Sequence, residues 1–245
     1  MDLKVIGTGS KGNCYILEND SEALIIEAGV NIKAIKQALN FNVNKVVGCI
    51  VSHEHMDHAK SINELCKTGI KTYASKGTFS SLNIDNHKSI SIENKRLVNI
   101  GNFKVMPFDV QHDAAEPFGF IIKHNECGNV LFLTDTFYSA YTFKNLNNII
   151  IEANFSKKII DAKVKAGASP DFLRNRILKS HLSLENCVEA LSKNDLSKVN
   201  NIVLIHLSDT NSNEVEFKAT VENATGKTVT VANNGTSIKF NKTPF

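Results

Sequence analysis

Residues 46–58 have the sequence VVGCIVSHEHMDH, an apolar run followed by four residues of metal-ligand type. Its first seven residues form a continuous apolar run, as expected for a strand buried on both faces. Residues i and i+2 of an extended segment point the same way, so His53 and His55 can bind one cation together. Asp57 and His58, at the turn into a helix, then face a second position beside it. Imidazole and carboxylate ligands suit zinc, manganese or iron rather than calcium.

Three further polar residues stand at the ends of later apolar runs. His112 follows FKVMPFDVQ, Asp135 follows NVLFLT, and His206 follows NIVLI. Strands of a layered α/β fold present functional groups at one edge of the sheet. Each residue alone fits a surface or capping role, but together with the first cluster the three predict a two-metal site.

The chain alternates between strand and helix patterns in an order that predicts a layered α/β fold. Asn19-Asp20-Ser21 predicts a hairpin turn between two early strands, and Ser169-Pro170-Asp171 predicts a helix start with proline in the first turn. Asn234-Gly235 predicts a second hairpin, within TVTVANNGTSIKF. The predicted helical segments are Asn31–Leu39, Ala59–Lys67, Ser156–Leu191 and Glu214–Glu222. We therefore expect two mixed sheets sandwiched between helices, in one domain over residues 1–245.

Composition narrows the class of protein further. The formal net charge of +3 over 245 residues is small for a protein that wraps duplex nucleic acid. The five cysteines are scattered and form no CxxC pair, which favours reduced core thiols. No signal peptide or membrane span is evident, so we expect a cytoplasmic protein. Abundant Asn, Lys and Ile suggest an AT-rich genome such as that of a Firmicute or its phages; if the gene is phage-borne, the compartment is the host cytoplasm.

The order of these residues resembles that of metallo-β-lactamase-fold hydrolases, and the resemblance covers nearly the whole chain. It implies an αββα sandwich with two divalent cations, zinc foremost and manganese as an alternative. By this resemblance one cation is held by His53, His55 and His112 and the other by Asp57, His58 and His206, with Asp135 bridging both.

A narrower resemblance points to YycJ-type proteins, in the nuclease and phosphodiesterase branch of this superfamily. The similar stretches are GTGSKGN at 7–13, HDAAEP at 112–117, TDT at 134–136, HLS at 181–183 with Glu185, and HLS at 206–208. Two residues depart from the pattern: Phe155 stands in place of a histidine, and Ser180 in place of a glycine. Relatives in this branch commonly form homodimers, so the resemblance implies a dimer.

In such a site the leaving alkoxide of a phosphodiester needs a proton or a positive partner. The resemblance implies that His181 protonates the leaving alkoxide. The alternative is that His181 only precedes a helix and has no catalytic role. Ser208 either hydrogen-bonds a phosphate oxygen or serves a turn, and Asp57 has a second possible role in orienting the nucleophile. The favoured interpretation of the loop Thr8–Asn13 is a tight turn, and that of Arg174 and Arg176 with Lys179 is a solvated helix face. His87 and His124 lie on polar segments that we expect to be exposed, and we assign them no function.

Two substrate classes remain open. The compact chain and modest charge favour cyclic mononucleotides, the substrates of the phage anti-Pycsar phosphodiesterases that the chain also resembles. The close motif match to YycJ-type proteins favours a single-stranded DNA exonuclease instead. Of the two, the sequence favours cyclic mononucleotides, with weak salt dependence. A non-enzymatic binding role is disfavoured because all seven ligands are present, and a thiolester or lactam hydrolase because of the HLS segment and His181.

Overall fold

The structure is a computed structural model that describes residues 1–244. Its helices, in chain order, are α1 Ile32–Ala38, α2 Met56–Ala59, α3 Ile62–Lys67, α4 Lys76–Ser81, α5 Lys157–Lys165, α6 Asp171–Ser180, α7 Leu184–Ser192 and α8 Glu214–Thr225. Its strands are β1 Asp2–Gly7, β2 Cys14–Glu18, β3 Ala23–Ile26, β4 Val46–Ile50, β5 Thr72–Ala74, β6 Ser89–Ser91, β7 Val98–Ile100, β8 Phe103–Asp109, β9 Phe118–His124, β10 Gly128–Leu133, β11 Leu146–Glu152, β12 Asn201–Ile205, β13 Thr228–Val231 and β14 Ser237–Lys239.

Over the described residues the strands form two seven-stranded mixed sheets, as predicted. The first has the order β14-β1-β2-β3-β4-β5-β6 and the second β13-β12-β11-β10-β9-β8-β7. In each sheet the antiparallel pairs lie on one side and the parallel pairs, such as β3 with β4 and β10 with β11, on the other. That residues 1–245 form a single domain stays a prediction.

The main hydrophobic core lies between the two sheets. In β1 burial alternates along the strand, so Leu3 and Val5 point inward and meet aromatic side chains such as Phe120 and Phe132 of the second sheet. A second cluster covers the outer face of the first sheet with residues of α1, α3 and α4. A third packs α7 and α8 on the outer face of the second sheet. Covering both outer faces explains why β11 is buried along its whole length.

Helix boundaries follow the capping residues in the sequence. Asn31, Ser183 and Asn213 each accept a backbone N–H of the first turn with their side chains and begin α1, α7 and α8. The predicted helical segment 156–191 is three helices. Pro170 stands one residue before α6 as its N-cap, rather than in the first turn.

The predicted hairpin around Asn234-Gly235 is wrong. Its first strand, β13, pairs in parallel with β12 in the second sheet. Its second strand, β14, pairs antiparallel with β1 in the first sheet. Asn-Gly therefore joins two sheets, because the turn chemistry sets a local reversal but not the strand that each side will pair with.

All five cysteines are buried and free, as predicted. His124, expected on an exposed segment, is instead buried beside Glu22, with its Nε2 atom 3.1 Å from the Glu22 carboxylate. None of the helices within residues 1–244 has the length and apolar character needed to cross a bilayer.

Candidate metal centre

The structure brings all seven predicted ligands to one edge of the two sheets. Each follows a strand: four lie after β4, and the others lie after β8, β10 and β12. Their ligand atoms form two groups, each with all its atoms within 4.8 Å of one another. The groups are His53, His55, His112 with Asp135, and Asp57, His58, His206 with Asp135. Asp135 and His206 also form a third group of this kind, with Glu152 and His181.

The rings of His53, His55 and His112 surround one point, with ring centroids 4.6–4.9 Å apart. His112 Nδ1 lies 2.8 Å from the carbonyl oxygen of Ser180, which can only accept, so His112 Nε2 keeps its lone pair. That nitrogen lies 3.1 Å from His55 Nδ1. His53 Nδ1 contacts Ser52 Oγ at 2.9 Å, and His53 Nε2 is buried without a hydrogen-bond partner. Converging nitrogens of this kind fit a transition-metal cation.

The second group is built around the Oδ2 atom of Asp57. His58 Nε2 lies 3.4 Å and His206 Nε2 3.5 Å from it, while His58 Nδ1 lies 3.4 Å from Glu27. Burial lowers the pKa of His58, but the carboxylates of Asp135 and Glu27 raise it well above its usual range overall. A cation fits here in place of the proton, because metal ligation requires the neutral imidazole.

Asp135 stands between the two groups. Its Oδ2 atom lies 3.6 Å from His53 Nε2, 3.5 Å from His112 Nε2 and 3.3 Å from His58 Nε2. Its Oδ1 atom lies 2.7 Å from His206 Nδ1. Burial raises the pKa of Asp135, but the imidazoles of His206 and His58 outweigh it and hold the pKa well below its usual range. The side chain is therefore a carboxylate shared by both groups.

His181 lines the same pocket and is held by Glu152. His181 Nδ1 lies 2.8 Å from Glu152 Oε1, and the backbone N–H of Leu182 donates to Glu152 Oε2 at 3.0 Å. Burial lowers the pKa of His181, but the neighbouring Glu152 carboxylate raises it above its usual value overall. The Nδ1 proton serves Glu152, so Nε2 is the nitrogen left for a ligand in the pocket.

Two buried glutamates of the site were missed by the sequence interpretation. Glu152 supports His181 and also lies 3.1 Å from His206 Nδ1. Glu27 accepts the backbone N–H of Ser52 and faces His58. Both directly end or follow apolar strand runs, IIIE and IIE, which is the signal that identified the other site residues.

The loop Thr8–Asn13 forms hydrogen bonds to the backbone of candidate ligands. The backbone N–H groups of Gly12 and Asn13 donate to Gly9 O and Asp57 O, so neither is free to bind a phosphate. The buried Asn13 side chain donates from Nδ2 to Asp57 O at 3.3 Å and to Gly9 O at 3.2 Å. Thr8 Oγ1 accepts the backbone N–H of His206 at 2.9 Å. These contacts agree with the tight-turn interpretation.

Ser208 lines the pocket but also serves a turn. Its Oγ atom accepts the backbone N–H of Asn211 at 3.3 Å, and its carbonyl accepts the hydroxyl of Ser212. These hydrogen bonds support the turn role of Ser208. Its role in binding a phosphate oxygen stays a prediction.

Three site residues have left-handed backbone conformations that L-residues rarely adopt. The φ angles are 66° at Glu27, 43° at Asp135 and 55° at His206. Each follows a strand and turns its side chain into the site. Such conformations cost about 1–3 kcal/mol each, and they persist only where surrounding contacts enforce them.

Gly29 allows the close approach of two loops at the site, and Gly29→Ala tests this. A Cβ here would overlap the carbonyl oxygen of Asp57 and lie 2.8 Å from Asn13 N. We expect a loss of about 3 kcal/mol in the free energy of unfolding, because backbone atoms cannot move aside cheaply, together with weaker metal binding. Denaturant unfolding and metal analysis would measure both.

Gly69→Ala is the control for Gly29→Ala. Gly69 has a φ of 88° with no atom within 4 Å of its would-be Cβ, so it should lose only about 1–2 kcal/mol and no metal. Equal losses in the two variants would contradict the packing argument.

A pocket of about 440 Å³ opens above the two groups. Its floor includes ligand atoms of both groups and His181, and its walls include residues of α6 and the segment after β12. A substrate can therefore reach the candidate metals and His181 together.

The profile of the Beta-lactamase superfamily domain matches residues 24–207, a range that contains all seven candidate ligands. The chain belongs to this family. Exodeoxyribonuclease YycJ of Bacillus anthracis is 30% identical over 232 residues, covering 88% of this chain and 86% of that protein. Exodeoxyribonuclease WalJ of Streptococcus pneumoniae serotype 2 is 28% identical over 225 residues, covering 85% and 82%.

The fold comparison agrees with the family. The metallo-β-lactamase fold protein YhfI from Bacillus subtilis superposes with a TM-score of 0.71 at 16% identity, covering 97% of this chain and 99% of that chain. The expected αββα arrangement and the resemblance to YycJ-type proteins are therefore confirmed. The converging imidazoles and carboxylates of the two groups are able to bind metal.

Proposed function

We propose that the chain is a two-metal phosphodiesterase that releases nucleotides from an end of single-stranded DNA. The observation that carries the proposal is the match to exodeoxyribonuclease YycJ at 30% identity over 88% of the chain. The pocket supports it, because candidate metal ligands and a carboxylate-held imidazole line it together. The sequence alone favoured cyclic mononucleotides; the relatives favour DNA.

The metal assignment is part of this proposal. His53, His55 and His112 would hold one cation, and Asp135 would bridge to the second. The second would be completed by Asp57, His58 and His206. The nitrogen-rich ligand set fits zinc, with manganese as the alternative. When bound, two such cations supply Lewis-acid activation of a phosphate and of water.

Three other roles in the proposed reaction are assigned to side chains of the pocket. His181, with Nδ1 engaged by Glu152, would hold a proton on Nε2 for the leaving alkoxide, and the Glu152 carboxylate favours the protonated imidazole by raising its pKa. The pKa of Asp57 is held low: burial raises it, but contacts with His206 and His58 outweigh the burial. Its carboxylate can therefore accept a hydrogen bond from the attacking water and orient it. Ser208, which lines the pocket, would donate its hydroxyl proton to a phosphate oxygen.

Cyclic mononucleotides are the second candidate substrates. The observation in their favour is the pocket volume of about 440 Å³, which lies in the range of small-molecule sites. The net charge of +3 also suits a substrate with a single negative charge. Under this alternative the chain would degrade a signal nucleotide, as phage anti-Pycsar proteins do. A homodimer stays a prediction under both candidates.

A substrate panel at varied salt separates the two candidates. We expect efficient release of mononucleotides from single-stranded DNA, with log(kcat/KM) falling by about 0.7 per phosphate contact for each tenfold rise in salt. Cyclic mononucleotides should be poor substrates, and a chelator should remove both activities. If cyclic mononucleotides are hydrolysed efficiently and without salt dependence while single-stranded DNA is not degraded, the proposed substrate is wrong and the second candidate is supported.

A further inference from the structure

The arginines of this chain are few, and one of them has no partner. The chain contains three, Arg96, Arg174 and Arg176. Arg96 pairs with Glu93 at 3.1 Å, and Arg174 Nε pairs with Asp161 at 2.6 Å. Arg176 lines the pocket above the candidate metals, and its guanidinium makes no hydrogen bond or ion pair within residues 1–244.

Apolar side chains accompany Arg176 on the same face of α6. Leu173 and Ile177 are three residues before it and one after it, and both line the pocket. Met56 of α2 lines the pocket as well, with 61% of its surface exposed. A guanidinium beside exposed apolar side chains suits a nucleotide, which offers a phosphate and a flat base.

Helix α6 is fixed relative to the candidate metals. Its last residue, Ser180, accepts the His112 Nδ1 proton at 2.8 Å, and His181 follows directly. Arg176 lies four residues earlier, which is about 6 Å along the helix axis. The C-terminal end of α6 therefore lies at the candidate metal centre, and Arg176 lies about one helical turn away from it along the pocket wall.

We propose that Arg176 binds the phosphate next to the scissile one, with the adjoining base against Leu173, Ile177 and Met56. This inference rests on the proposed nuclease function and adds a substrate requirement. The preferred substrate is a nucleotide chain carrying a second phosphate. A cyclic mononucleotide has only the reacting phosphate and leaves Arg176 without a ligand.

Dinucleotides test this directly in the metal-loaded enzyme. The probes are a dinucleoside monophosphate, with only the scissile phosphate, and the same compound with an added 5′- or 3′-terminal phosphate. Wild type should cleave one of the end-phosphorylated compounds about 10- to 100-fold more efficiently, the scale of a hydrogen-bonded charge contact. Arg176→Ala should lose that gain and leave the dinucleoside monophosphate rate unchanged.

Two further variants make the test specific. Arg174→Ala removes a charge from the same helix but from an arginine paired with Asp161, so it should behave as wild type. Arg176→Lys should recover part of the gain, because it keeps the charge without the bidentate geometry. On longer single-stranded DNA, Arg176→Ala should also reduce the salt slope by about 0.7, one phosphate contact.

The outcomes keep the inference and the proposed function apart. A wild type that cleaves all three dinucleotides equally, or a gain that survives Arg176→Ala, overturns the inference but leaves the nuclease intact. A wild type that cleaves none of them, nor DNA, overturns the proposed function itself.

Discussion

Asp135→Ala is expected to abolish hydrolysis and to leave the purified protein almost free of transition metal, whereas wild type should carry close to two ions per chain. The reason is the position of Asp135 Oδ2, which lies 3.3–3.6 Å from nitrogens of His53, His58 and His112. No other carboxylate belongs to both ligand groups among the described residues. Elemental analysis and activity on DNA would measure the two losses.

Two variants control this result. Asp135→Asn keeps the shape of the side chain but lacks its charge, so it should also lose most of the metal, although no cavity forms. Asp209→Ala removes an exposed carboxylate whose partner is the exposed Lys11, and it should retain metal and activity. A fully metallated, active Asp135→Ala protein would refute the bridging assignment.

His181→Ala is expected to retain both metals and to lose about 10²–10⁴-fold in kcat on DNA, the scale of a lost general acid. The imidazole is held by Glu152 and is not among the seven candidate ligands, so metal content should not change. The loss should shrink on a nitrophenyl phosphodiester, because nitrophenolate leaves without needing a proton. The ratio of the two losses is the decisive measurement.

His87→Ala is the matched control for His181→Ala. His87 is exposed and outside the pocket, so its removal should change neither rate. Equal losses in His181→Ala on DNA and on the nitrophenyl substrate would assign His181 a structural role, and loss of metal would make it a ligand.

The seven candidate ligands were predictable because each stands where an apolar run ends. Strands that run in the same direction deliver their carboxyl ends to one edge of the sheet, so separate strand-end residues such as His112, after β8, and His206, after β12, meet there. Glu27 and Glu152 follow the same rule but were overlooked. A single glutamate after a strand has no spacing motif to distinguish it from a surface residue, and only the fold shows that both are buried under imidazoles.

The errors share a cause, which is that local patterns do not specify the partner of a segment. Asn234-Gly235 correctly predicted a reversal of the chain. It did not predict that β13 and β14, on either side of the reversal, belong to different sheets. His124 ends a strand with a polar residue, yet it is buried because Glu22, more than a hundred residues earlier, lies against it. The sequence likewise predicted a solvated helix face for Arg176, because its position beside the pocket depends on where α6 packs in the fold.

The pairing of β14 with β1 makes this chain dependent on its most distant contacts during folding. Leu3 lies opposite Ile238, and His206 is tied to Thr8 across 198 positions. Contacts of such separation form late, because the entropy of closing a long loop must be lost before they are made. Until then the outer edge of β1 presents unpaired backbone groups that another chain can pair with. The candidate metal centre is therefore a late product of folding, and crowded nascent chains are exposed to edge-to-edge aggregation before they can bind metal.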